Sequence, residues 1–297
     1  MGRQKRTGNR DKKTQTGRKA GGGRPEAGGR RGEKRGGRAE AGGRRGEKGG
    51  GRPEAGGRRG EKGGGRPNTR IDRKGPPPIA TPEKMGQLMA HYGFPLPREK
   101  VELLTRFHAY LIDRNRKLNL TRIWNLDEMV VKHYVDCLII TRFVKEIPGP
   151  LLDIGTGGGF PGIPLKILLP DLHIILGEGV RKRVNFLSDT RAELGLEKLD
   201  VIGRNIDKDF EYPVNSVITR AVEPMQETLR RVQNCLLHGG LAMFMKGPAV
   251  GPEKEEVNRK FAGFYEEVAD HAYTLPKTDY KRRLVVYRKS GRVGVEE

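Results

Sequence analysis
The chain changes its hydrophobic rhythm twice. Residues 1–75 have no apolar period, whereas from Thr81 onward apolar side chains return at intervals of three and four. That spacing lines them up on one face of a helix. Thr81-Pro82-Glu83 supplies an N-cap followed by proline at the first helical position, so a helix is predicted from there to about Gly93. A second is predicted after Pro97, with Val101, Leu104, Phe107, His108, Leu111 and Ile112 near helical spacing. Lys117 to Thr121, KLNLT, reads as a loop or turn. Asn125, with Glu128 three residues on, opens a third helix reaching about Arg142. These helices make a small N-terminal subdomain over residues 76–147.

Beyond Pro148 short apolar runs alternate with longer amphipathic stretches. The predicted strands are 151–154, 172–177, 200–203, 217–219, 241–246 and 283–289; helices are predicted at about 160–169, from near Val180, and over 224–237. Apolar runs of this kind are buried on both faces, and strands separated by helices pair in parallel. The expected fold is therefore α/β, a Rossmann-like, mostly parallel doubly wound sheet over residues 148–297.

The first strand runs into glycines, LLDIGTGGGFPG from Leu151 to Gly162. Glycine suits a loop that takes positive φ and lets a ligand approach its backbone. The spacing selects the ligand. In a dinucleotide fingerprint, G-x-G-x-x-G, the third glycine would fall on Phe160, and the residue two before the first glycine is acidic here. Asp153-x-Gly155-x-Gly157-x-Gly159 instead resembles the first motif of the class I methyltransferases that use S-adenosyl-L-methionine (SAM).

Composition separates the two ends of the chain. Residues 1–75 hold 25 Lys and Arg against 8 Asp and Glu, +17 of the whole chain's +21, with 24 of its 43 glycines and no Phe, Tyr or Trp. A segment so poor in apolar groups cannot offset chain entropy by burial and is expected to be disordered. Within it EAGGRRGEK recurs at Glu26, Glu40 and Glu54, a period of fourteen with nothing apolar to stack as a solenoid. An RNA-scanning tail, a solvated linker and a misassigned start all fit this pattern. Two distant cysteines, Cys137 and Cys235, suggest neither disulfides nor a metal site. With no apolar run long enough to cross a membrane and no signal-peptide core, a cytoplasmic location is expected.

Ligands of an open α/β sheet sit outside the carboxyl ends of its strands. Glu178, 25 residues past Asp153 and closing the second strand, is placed to accept both ribose hydroxyl hydrogens. Arg181-Lys182-Arg183 follows at once and suits a phosphate-rich substrate. The order GTGGGFPGIPL, E-x-x-x-KR-x-x-FL, TRA at Thr219, MKG at Met245 and RRLVVYRK resembles the RsmG (GidB) family of 16S rRNA guanine-N7 methyltransferases, as do LNLT at Leu118 and the His133 to Leu138 segment. The resemblance spans about Thr81 to Lys289. It implies a SAM-dependent enzyme acting on 16S rRNA or the small ribosomal subunit, at the guanine 527 site, as a monomer.

Residue by residue, the resemblance places SAM against Gly155 and Phe160, the adenine beside Asn205 and Ile206, and the reacting groups near Arg220. Asn119, His133, Lys182, Arg183, Arg204, Lys246 and Arg282 match positions lining an RNA-facing cleft, with Asn119, His133, Arg220 and Lys246 the candidate catalytic group. Guanine N7 carries a lone pair and no proton, so in-line attack on a sulfonium methyl requires no general base, only alignment. A class I methyltransferase with another RNA, a protein or a small molecule as substrate, and an inactive RNA-binding protein of the same fold, are the alternatives.

Overall fold
The computed structural model describes residues 79–291 except Ala221. The basic tail, its repeats and the boundary at Pro76 lie outside the described residues. Seven strands form one sheet in the order β3-β2-β1-β4-β5-β7-β6. Strands β1 (Leu151–Ile154), β2 (Ile174–Gly177), β3 (Leu199–Ile202), β4 (Val214–Arg220) and β5 (Leu236–Lys246) are parallel. The last two, β6 (Tyr265–Thr274) and β7 (Lys281–Lys289), pair antiparallel with each other, and β7 runs antiparallel to β5. Because β2 flanks β1 on one side and β4 on the other, the winding reverses at β1, and a crevice opens at its carboxyl end.

Successive strand residues point to opposite faces, which explains two cores from strands that carry apolar residues on both faces. Leu151, Ile218 and Met243 join a core with Met85, Phe107 and Tyr134 of the N-terminal helices. Their neighbours Leu152, Val217 and Phe244 join a second core on the other face. Full burial of each such side chain contributes about 1.5–3 kcal/mol. The N-terminal helices thus share their core with the sheet and fix whatever they carry relative to the strand ends.

Helix α1 (Pro82–His91) starts as predicted, Thr81 Oγ1 accepting from Lys84 N at 3.2 Å. Helix α2 (Arg98–Leu118) ends where Asn119 takes a left-handed conformation, φ 53°. The third helix is continuous but irregular: α3 (Leu126–Met129), capped by Asn125, widens to a π segment over Val130–Val135, then α4 (Asp136–Leu138) and a 3-10 turn over Ile139–Arg142. After β1 come α5 (Gly162–Leu168) and, after β2, α6 (Arg181–Leu194).

Three expectations need correction. Helix α7 covers only Met225–Arg231, not 224–237, because Leu236 is already paired with Val214 and begins β5. The apolar residues Val232, Cys235 and Leu236 are buried against the sheet and not along a helix face. Helix α8 (Gly251–Lys260) and strand β6 were not expected from the pattern. Only Val257 of α8 is buried, and β6 is an edge strand whose burial is largely partial, so neither leaves a clear apolar period. The second and third strands are shifted to 174–177 and 199–202.

Candidate active site
Two cavities open at the carboxyl ends of the strands, with Arg220 in the wall of both. The first, about 500 Å³, is lined by Gly155, Glu178, Arg183, Arg204, Asn205 and Ile206, among others. Backbone geometry builds it. Gly155, Gly157 and Gly159 all have positive φ, at 66°, 61° and 90°. Gly155 N and Thr156 N both bond Gly177 O, at 2.8 and 3.3 Å, tying the loop to β2. Below the loop, buried Asp153 accepts from Thr156 Oγ1 at 2.6 Å and Gly162 N at 2.8 Å. Burial lifts its carboxyl to about 6, against lowering by those two bonds. Asp153 therefore braces the loop from inside.

Glu178 braces it from outside. One carboxylate oxygen takes Gly157 N at 3.0 Å, the other takes Val180 N at 2.9 Å, and Arg183 Nη1 stands 3.7 Å off. A carboxylate offers about four lone-pair sites, so acceptor capacity remains for ribose hydroxyls. Gly177, an odd residue for a buried strand, is explained by Ile206: a Cβ there would lie 2.8 Å from Ile206 Cγ1. A Cβ on Gly155 would meet Val222 Cγ2 at 2.9 Å. Gly157 and Gly159 shape the loop without lining the cavity, and a Cβ on Gly157 would meet nothing closer than 3.9 Å. The spare acceptor, apolar Ile206 wall and close glycine backbone fit a nucleoside cofactor such as SAM.

The second cavity, about 410 Å³, is lined by Lys132, His133, Asp136, Arg220, Lys246 and Arg282, with Ile123, Met245 and Gly247. Here side chains from distant segments interlock. Arg220, closing β4, donates to Lys132 O at 3.1 Å and to His133 Nδ1 at 3.2 Å, and pairs with Asp136 Oδ2 at 3.5 Å. A guanidinium can only donate, so His133 Nδ1 is unprotonated and its Nε2–H points to Thr121 Oγ1 at 2.8 Å. Burial, then the Arg220 charge, pushes this imidazole down to about 3. His133 is thus neutral. Phe160 stacks on it, centroids 4.5 Å apart, and lies under the Arg220 guanidinium at 5.2 Å. Arg282 Nε reaches Asp136 Oδ1 at 3.5 Å, and burial raises that carboxyl despite both arginines. Lys246 Nζ is anchored by Glu223 O at 2.6 Å and Glu253 Oε2 at 2.9 Å.

The structure gathers His133, Arg220, Lys246 and Arg282 as expected, and Gly155, Glu178, Asn205 and Ile206 likewise. Several residues are placed otherwise. Asn119 is an exposed left-handed helix cap lining neither cavity. Its motif acts through Thr121, held by Asn115 Oδ1 and Nδ2 at 2.9 Å each. The Phe160 ring is buried among Phe107, His133 and Tyr134 and supports the site from behind. Arg183 and Arg204 line the first cavity, not the second, because α6 and the loop after β3 pack around β2. Lys182 is exposed on α6, outside both. Asp136 and Arg231 were missed as site residues; the three-residue spacing from His133 to Asp136 was the available signal for the first. Among the described residues no group of three or more His, Cys, Asp or Glu could hold a metal, and no helix is long and apolar enough to cross a membrane.

The family model for the rRNA small subunit methyltransferase G family (GidB) matches residues 100–283, which include both cavities. The chain belongs to that family. With membership comes SAM-dependent methylation of ribosomal RNA. A relative from Bdellovibrio bacteriovorus, ribosomal RNA small subunit methyltransferase G 2, is 46% identical over 208 residues, 70% of this chain and 81% of its own. One of the same name from Syntrophobacter fumaroxidans is 44% identical over 71% of this chain, but that is 42% of its own length. Ribosomal RNA small subunit methyltransferase G of Carboxydothermus hydrogenoformans is 34% identical over 69% of this chain and 90% of its own.

Proposed function
We propose that this enzyme methylates N7 of a guanine in 16S rRNA, at the guanine 527 site, acting as a cytoplasmic monomer on the rRNA or the small ribosomal subunit. The observation that carries this reading is the chemistry of the second cavity. Its wall presents Lys132, Arg220, Lys246 and Arg282, while its one imidazole is neutral and already occupied by Arg220. Both carboxylate oxygens of Asp136 face arginines. The imidazole and the carboxylate of this wall are engaged in holding arginines, which suits a nucleophile that brings no proton to be removed.

SAM supplies an electrophilic methyl group on a sulfonium, and Gly155, Glu178, Asn205, Ile206 and Arg220 are the residues that would hold it. Arg220 lies in the wall shared by the two cavities, so it positions what enters one against what enters the other. His133, Phe160 and Asp136 keep its guanidinium fixed. Lys246 and Arg282 offer N–H donors to guanine O6 and to phosphate oxygens, and the cations together offset the charge of the entering RNA. A guanine in folded RNA must leave its stack to enter, at a cost of a few kcal/mol.

The experiment is to map N7-methylguanine in 16S rRNA from cells with and without this protein. Loss of the modification at guanine 527 on deletion supports the reading. An unchanged map refutes it.

A further inference from the structure
A third cavity, a cleft of about 330 Å³, lies beside the cationic one, and Tyr280 is in its wall with Tyr92, Asp127, Glu128, Val131 and Asp279. Tyr280 precedes β7 and is 39% exposed, one of few large apolar side chains so displayed among the described residues. A lone exposed tyrosine is ordinary. What sets this one apart is that two cations of the neighbouring cavity lean on it. Lys132 Nζ is 4.5 Å and the Arg282 guanidinium 6.0 Å from its ring centroid. Its backbone is pinned on both sides, N to Thr278 Oγ1 at 3.1 Å and O from Leu275 N at 3.0 Å. The ring is therefore presented from a fixed turn at the edge of the cavity assigned to the guanine.

We propose that Tyr280 is the stacking platform for a nucleobase adjacent to the methylated guanine, and that this flanking base enters the cleft. A base next to an extruded guanine loses a stacking partner, and an aromatic ring replaces it. Lys132 and Arg282 sit where they can meet the phosphates on either side. The cleft itself favours a base over a phosphate: Asp127 and Asp279 repel anions but accept from exocyclic amino groups. Tyr92 donates to Asp127 Oδ2 at 2.5 Å, and burial, with that carboxylate, pushes its phenol up to about 12, so this wall keeps its polarity over the working pH range.

The inference rests on the RNA-methylating reading, and its test separates the two. Steady-state kinetics of the full-length protein on naked 16S rRNA and on small ribosomal subunits should show Tyr280→Ala raising KM for RNA about ten-fold. Its kcat and SAM affinity should stay within about two-fold, and Tyr280→Phe should match the wild type. In Tyr280→Trp, indole emission corrected for the single native Trp124 should be quenched on adding RNA. Unchanged KM in Tyr280→Ala, or unquenched emission in Tyr280→Trp on bound RNA, overturns the proposal. Absence of methyl transfer by the wild type would instead sink the RNA-methylating reading, while the emission would still report on stacking.

Discussion

The two cavities that meet at Arg220 are built on different principles. The cofactor side is held by main chain: three glycines at positive φ, backbone N–H groups on Glu178, and strand-to-loop bonds from Gly177. The base side is held by side chains drawn from the π segment, the loop after α2, β4, β5 and β7, around a neutral histidine and a buried carboxylate between two arginines. A backbone-built pocket depends on local conformation, and a single Cβ can close it. A side-chain network depends on charge balance, so removing one member strands another in low dielectric.

The largest effect should come from breaking the shared member. Arg220→Ala should lower methyl transfer by about 100-fold or more, as loss of a fixed charge donor does. It should also destabilise the protein by about 3 kcal/mol, because buried Asp136 loses one of its two arginines and keeps only Arg282 at 3.5 Å. Adding Asp136→Asn should recover most of the melting temperature and none of the activity, measured by thermal unfolding and methyl incorporation. Recovery of both would mean Arg220 serves only to neutralise Asp136.

Gly155→Ala tests the other side. A side chain there meets Val222 and needs φ near 66°, so SAM affinity by calorimetry should fall about ten-fold or more, while RNA affinity changes little. Equal losses for both ligands would mean that the cavities are not separable.

Removing residues 1–75 should leave SAM affinity untouched, because every residue of both cavities lies beyond Pro76. Affinity for rRNA at low salt should drop, with a shallower slope of log affinity against log salt. An unchanged slope would show that the +17 charge of this segment plays no part in RNA binding.

The smallest effect concerns pH. His133 is held at about 3 against an ordinary 6.5, so the unfolded chain binds more protons between those values. The stability this histidine contributes is complete above pH 6.5 and is lost progressively as pH falls toward 3. Asp153, raised to about 6 from 3.8, acts in the opposite sense: the native state takes up its proton first and gains as pH falls through that window. Comparing His133→Asn with the wild type cancels the Asp153 contribution. The wild-type advantage in unfolding free energy should shrink from pH 6.5 downward. At saturating substrates kcat should show no inflection near pH 6.5, and one that disappears in His133→Asn would make the histidine a proton acceptor after all.

Sequence determined the frame of the cofactor side of this protein because the strand, loop and carboxylate that form that frame are local. Strand β1, its acidic brace, the glycine spacing and Glu178 at the end of the next strand lie within 28 residues, Leu151 to Glu178, and each has a conformational reason to be the residue it is. The reason for a glycine at 177, Ile206 packed against it, was not local and not visible. The N-terminal helices and the parallel strands were legible in outline, since period and caps are properties of short segments, but α8 and the end of α7 were not. Only tertiary structure could decide that Phe160 supports the site from behind, that Arg183 and Arg204 face the cofactor cavity, and that Asp136 balances two arginines. The last of these depends on Asp136 and His133, which lie 84 and 87 positions from Arg220, and long-range charge balance leaves no periodic trace in a sequence.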